Sequence, residues 1–212
     1  MKNLFILSLL CLNINISNTA YSQTIFQSDL SSWVNGLPSD WMGTASNISS
    51  SNVHEISAGV VFGTSYASLI NTTASHKRFS TQPINVNPGE TYKIEIWVSA
   101  YKGDLRTNYY NANNGTFGTY NPYEDLSISS GSTTVQTLVT QTITVDSSCT
   151  SAEFILSLRN TDPTGGASPW YLGILVDSVS ISASSPPTPA SASIYDIQHT
   201  NANSGDSPYA NQ

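Results

Sequence analysis

Apolar and polar side chains alternate with a period of two at two places in this chain. Tyr92, Ile94, Ile96 and Val98 alternate with Lys93, Glu95, Trp97 and Ser99, while Phe154, Leu156 and Leu158 alternate with Glu153, Ile155, Ser157 and Arg159. Successive side chains of an extended strand point to opposite faces, so each stretch predicts a strand with one apolar and one mostly polar face. Segments rich in β-branched residues predict further strands near Val53–Ile56, Ser65–Asn71, Arg78–Val86, Leu105–Tyr110, Val135–Val145 and Leu172–Ile181. No stretch between Gln23 and Ser182 sustains the three-and-four spacing of a helix. Asn87-Pro88-Gly89 predicts a turn that joins two of these strands as neighbours, since Pro fixes φ and Gly supplies positive φ.

Eight or more short strands with turn signals between them predict an all-β protein, a jelly-roll β-sandwich over residues 23–182. Two sheets would bury the apolar faces and leave one sheet's outer face available. The flanks read differently. Lys2, the apolar run Leu4 to Leu12 and the small residues around Ala20-Tyr21-Ser22 predict a cleaved secretory signal at 1–22, and hence a secreted protein. The Ser/Pro-rich stretch 183–193 predicts an extended linker. Beyond it, Ile194-Tyr195-Asp196-Ile197-Gln198 has a strand pattern, but 194–212 holds too few apolar residues for a core. It is expected to be the start of an incomplete second domain, or else a disordered tail.

Charge narrows the function classes. The 212-residue chain carries 7 Lys+Arg against 14 Asp+Glu, a formal net charge of -7. An acidic surface gains nothing from counterion release on a phosphate backbone, so nucleic acid is not expected at this module. No stretch approaches the roughly 20 apolar residues of a membrane helix, so no membrane partner is expected either. Of the two cysteines, only Cys149 lies outside the predicted signal, which leaves no pair for an intrachain disulfide.

Phe26-Gln27-Ser28-Asp29-Leu30-Ser31-Ser32-Trp33, followed by Leu37-Pro38-Ser39-Asp40-Trp41, resembles the opening of carbohydrate-binding-module-like jelly rolls. Val176-Asp177-Ser178-Val179-Ser180-Ile181 resembles their final strand, and Gly89-Glu90-Thr91-Tyr92 falls between. The resemblance implies glycan binding. It also implies a structural calcium tying the first and last strands, with Asp177 and Gln27 at the matching positions, although Gln27 and Ser178 stand where the pattern has acids. The tail, with Ser204-Gly205-Asp206-Ser207-Pro208 after the 194–198 strand, is similar to the opening of OB-fold-like domains in secreted bacterial nucleases of the Bacteroidetes type.

The stretch from Tyr101 to Tyr123 interleaves Tyr109, Tyr110, Phe117 and Tyr120 with Asn108, Asn111, Asn113, Asn114 and Asn121. Sugars present apolar C–H faces and rims of hydroxyls, so aromatic platforms beside amides suit them. The same composition also suits a loop that merely pins itself down. Counting in twos from Lys102-Gly103-Asp104 puts Leu105, Thr107 and Tyr109 on one face and Arg106, Asn108 and Tyr110 on the other. With Leu105 in the core, Arg106 would share a polar sheet face with Glu95, Trp97 and Arg159. That face is either a ligand site or a solvated cross-strand ladder.

The candidate ligand residues are therefore Trp97, Arg106, Tyr110, Tyr120, Tyr123 and Arg159. No catalytic constellation accompanies them. Glu95 and Glu153 lack a defined separation for a glycosidase pair, the histidines lack ligand spacing, and Cys149 reads as a half-buried residue at a strand end. The expected role is a non-catalytic accessory module, carbohydrate-binding, at the front of a larger secreted protein such as an extracellular nuclease. The alternative is a structural or adhesive spacer with its aromatics buried and no ligand site.

Overall fold

The computed structural model describes residues 22–57, 63–70, 75–100, 103–126, 136–160 and 173–184. The predicted signal up to residue 21, the linker from residue 185 onward, the 194–212 segment and Tyr101 lie outside the described residues. In chain order the strands are β1 (Thr24–Ser28), β2 (Trp33–Val34), β3 (Leu37–Pro38), β4 (Val53–Ile56), β5 (Tyr66–Ile70), β6 (Lys77–Ser80) and β7 (Ile84–Asn85). They continue with β8 (Thr91–Ala100), β9 (Gly103–Asn111), β10 (Thr116–Phe117), β11 (Glu124–Asp125), β12 (Thr137–Thr144), β13 (Ser151–Asn160) and β14 (Gly173–Ala183). A three-residue 3-10 turn, Ser39–Trp41, is the only helical element among the described residues.

β2 and β3 pair with each other, and the other twelve strands form two six-stranded antiparallel sheets in a jelly-roll sandwich. The first runs β12-β8-β14-β5-β4, with β1 also paired to β14; the second runs β10-β9-β13-β6, with β11 on β9 and β7 on β13. Alternation decides what each strand buries. Ile94, Ile96 and Val98 of β8 and Val176, Val179 and Ile181 of β14 face Leu105 and Tyr109 of β9 and Phe154, Leu156 and Leu158 of β13, all buried in one core. Tyr92 and Phe154 meet edge-on across the sheets at 5.3 Å, a favoured aromatic geometry.

The N-terminal motif closes one end of this core. Trp41 is fully buried and packs edge-on against Phe26 of β1 and Phe79 of β6, so one indole joins both sheets. Its Nε1–H donates to Ser28 Oγ at 3.2 Å, and Ser28 Oγ–H donates to Asp40 Oδ2 at 2.9 Å. Trp33 Nε1–H likewise donates to the Leu30 carbonyl, 2.7 Å away.

Two expectations change. Arg78–Val86 is not one strand but β6 and β7, because Pro83 has no N–H to give to the ladder; the Thr81 amide and hydroxyl hold the break against Phe154. Asn87-Pro88-Gly89 does form a turn, with Gly89 at φ 74° and the Glu90 amide donating to the Asn87 carbonyl at 3.1 Å. It does not join neighbours, however. It carries the chain from β7 in the second sheet to β8 in the first.

Candidate functional site

The outer face of the second sheet collects the cationic and aromatic side chains. On β9, Leu105, Thr107 and Tyr109 face inward and Arg106, Asn108 and Tyr110 face outward, as the period of two requires. The register then builds the face row by row. Arg106 lies opposite Ser157 of β13, which lies opposite Arg78 of β6; Tyr110 lies opposite Glu153 on one side and Phe117 of β10 on the other; Asp104 lies opposite Arg159.

After β10 the chain stays beside β9. Gly118 N–H donates to the Tyr109 carbonyl at 2.9 Å and Asn121 N–H to the Thr107 carbonyl at 3.0 Å, before β11 pairs with Leu105 and Asp104. The Asn121 amide fixes this irregular edge from within, donating to Thr107 Oγ1 and to the Thr142 carbonyl, each at 2.8 Å. Two tyrosines are thereby set over the sheet. The Arg106 guanidinium lies 4.0 Å from the Tyr120 ring centre and 4.3 Å from that of Tyr123, and Arg159 lies 4.1 Å from the Tyr123 ring. Stacking of this kind holds a partly desolvated cation in one orientation.

Around this centre, Arg78 lies over the exposed Phe117 ring at 5.3 Å while its Nε–H donates to the Ala45 carbonyl at 2.9 Å. Tyr110 and Phe117 meet edge-on at 5.1 Å, and His76 stands beside Tyr120. Burial lowers the His76 pKa, and the charges of Arg106, Arg78, Arg159 and Lys77 lower it further. Arg159 is paired with Asp104, its Nε–H donating to Oδ2 at 3.0 Å. Three buried polar atoms on this face have no hydrogen-bond partner: Arg106 Nε, Asn108 Oδ1 and Ser157 Oγ.

Five of the six expected ligand residues thus share one face. Trp97 does not: β8 belongs to the first sheet, so Trp97 and Glu95 point away from the opposite side of the sandwich and cannot act with Arg106 or Arg159. A period of two fixes faces within a strand but not the sheet the strand joins. Trp97 and Glu95 instead line a separate 440 Å³ cavity with Gln27, Asp29, Leu138, Ser178 and Ser180, and Glu95 pairs with Lys93 at 3.0 Å. Glu95 and Glu153 lie on opposite outer faces and form no carboxylate pair.

Other candidates find their places as follows. Asp177 is fully buried where β14 bulges against β8, and Gln27 is exposed on β1 opposite Ser180. Among the described residues no three His, Cys, Asp or Glu side chains converge as metal ligands, so calcium here would draw on Asp177 and the Gln27 amide oxygen with backbone and hydroxyl oxygens. Cys149 is fully buried rather than half-buried. Tyr110, Tyr120 and Tyr123 are partly exposed and Phe117 is 46% exposed, while Tyr109 is buried. His76, Arg78 and Phe117 were absent from the expected ligand set. Alternation of Arg78 and Ser80 with Lys77 and Phe79, in a chain with so few cations, was the signal for Arg78.

No protein-family profile matches the chain, and no curated protein matches it. Solved structures are similar at low identity. The CBM22-1–CBM22-2 tandem domain from a Paenibacillus barcinonensis protein is 14% identical, with 82% of this chain and 50% of that one covered and a TM-score of 0.48. The xylan-binding CBM22-1 domain from the same organism is 15% identical over 76% of this chain and 95% of that one, with a TM-score of 0.47. A carbohydrate-binding module of Cellvibrio mixtus lichenase 5A, solved with cellotriose, is 14% identical over 62% and 87%, with a TM-score of 0.40.

Proposed function

We propose that this chain is a carbohydrate-binding module whose site is the outer face of the second sheet. The observation that carries the reading is Arg106, held on a central strand between two tyrosine rings with Tyr110 and Phe117 beside it. Strand-borne side chains locked by stacking offer hydrogen-bond donors in fixed directions, next to apolar ring surface for the C–H faces of a sugar. Little ordering remains to be done on binding, and that favours affinity.

Affinity electrophoresis through gels containing plant and microbial polysaccharides tests this directly. At least one polymer is expected to retard the wild type, with retardation lost in Tyr110→Ala and Arg106→Gln and kept in Trp97→Ala. Equal mobility of all proteins in every gel would leave the spacer reading in its place.

The wider setting belongs to the same proposal. Export rests on the residue 1–22 pattern, and service to a larger secreted nuclease on the linker and the 194–212 resemblance; the reading frame past Gln212 tests the latter. A structural calcium at Asp177 and Gln27 is included, and its test is the stability of the whole sandwich in excess chelator.

A further inference from the structure

The sequence contains three arginines, Arg78, Arg106 and Arg159. All three stand on one face of one sheet: Arg78 and Arg106 flank Ser157 on a single ladder row, and Arg159 lies two residues further along β13. The rest of the molecule runs the other way. The net charge is -7, and the cavity on the opposite outer face is lined by Asp29 and Glu95. The arginines are therefore gathered on the candidate site, and after burial they, with Lys77, depress His76 further.

Among the described residues four carboxylates share that sheet with the three arginines, but only one of them is ion-paired to an arginine. Asp104 is paired with Arg159, and Glu124 and Asp125 are exposed on β11 at that end. Glu153 is buried and committed to Thr44, Ala45 and Ser80. Among the described residues, neither Arg78 nor Arg106 has a carboxylate at ion-pair distance. Arg106 Nε, Ser157 Oγ and Asn108 Oδ1 also lack partners, so polar capacity is concentrated at the centre of the face.

The rings matter as much as the charges. A neutral sugar needs an aromatic face to stack on, but Tyr123 already meets two guanidiniums, and Tyr120 meets one guanidinium with His76 beside it. Arg159 Nε–H and Nη2–H are committed to Asp104 and Arg78 Nε–H to the Ala45 carbonyl, so the Arg106 guanidinium is the one whose N–H groups remain for a ligand, and such an edge matches a carboxylate. We propose that the site selects an acidic polysaccharide, one whose sugars carry uronate carboxylates, with Arg106 as the central contact and Arg78 and Arg159 flanking it. This rests on the glycan-binding reading and narrows it to a substrate class. Nucleic acid and sulfated polymers also offer anions, and they enter the test as competitors.

Calorimetry on the full chain separates the possibilities, with polygalacturonate, its methyl-esterified form, neutral xylan, dextran sulfate and single-stranded DNA as titrants. The uronate polymer is expected to bind, to lose about tenfold or more in affinity between roughly 0.05 and 0.5 M salt, and to lose it again on esterification, which removes charge and keeps the sugar. Arg106→Gln and Arg78→Gln should each weaken it by about tenfold, with melting temperature confirming that they fold. Equal, salt-insensitive binding of esterified polymer or xylan would overturn the acidic selectivity and leave glycan binding standing. Dextran sulfate or DNA binding as tightly as polygalacturonate would overturn it as general polyanion binding. Silence toward every titrant would remove the glycan-binding reading itself.

Discussion

Four hydrogen bonds converge on the Glu153 carboxylate: Thr44 donates from both N–H and hydroxyl, at 3.1 and 2.6 Å, Ala45 N–H at 2.9 Å and Ser80 hydroxyl at 2.7 Å. The side chain is 1% exposed. Burial by itself raises its pKa, and the donors outweigh that and hold it below the usual value. A depressed folded pKa stabilises the fold above the unfolded value and loses that contribution as pH falls through the folded one. The His76 pKa is also depressed, which removes stability as pH drops below the ordinary histidine range. Melting temperature should therefore fall in two acidic windows, histidine first and carboxylate second. Glu153→Gln, which turns an NH2 donor toward donors in place of a carboxylate oxygen, should cost about 2–3 kcal/mol, lower the melting temperature by roughly 5–10 °C and flatten the lower window alone. A variant as stable as wild type would mean that the 43–46 loop is not held by this carboxylate. Gly43 belongs to the same arrangement, since a Cβ there would sit 2.0 Å from the Thr81 carbonyl oxygen.

The strands themselves were largely legible, because the core-facing positions of β8, β9 and β13 recur with a period of two, although β13 is buried on both faces. Arg106 and Tyr110 could be placed outward from the chain alone. Their grouping with Trp97 could not, since nothing local to β8 or β9 records which sheet a strand enters; long-range pairing through β13 and β14 decides that. The irregular edge from Gly118 to Leu126 was equally invisible, because it follows β9 through isolated bonds rather than a repeating pattern. Those bonds make a prediction at this scale. Asn121→Ala deletes the two side-chain bonds to Thr107 and Thr142 and should cost about 1–2 kcal/mol. The loss should be local. Amide exchange at 118–126 is expected to quicken while β8 and β14 stay protected, and ligand affinity should fall as Tyr120 and Tyr123 cease to hold Arg106. Unchanged exchange would show that the edge is fixed by its backbone bonds alone.

At the scale of the whole molecule, stability comes from one core shared by two sheets, with Cys149 a free thiol inside it. That thiol reports on the entire sandwich. It is 0% exposed, burial pushes its pKa up, and its Sγ–H donates to the Ser151 carbonyl at 3.4 Å. A thiol-specific reagent needs an accessible thiolate, so labelling waits for an opening that breaks the contact between the sheets. The labelling rate in buffer thus measures that opening, and excess chelator shows whether a cation contributes. If Asp177 and Gln27 hold calcium between the first and last strands, chelation removes a ligand that binds only the folded chain, which lowers stability. Labelling should then accelerate and melting temperature should drop together, and added calcium should restore both. Labelling and melting that ignore the chelator would assign Asp177 a purely hydrogen-bonded role at the bulge. Rapid labelling in buffer without any change in melting temperature would instead place Cys149 outside the cooperative core.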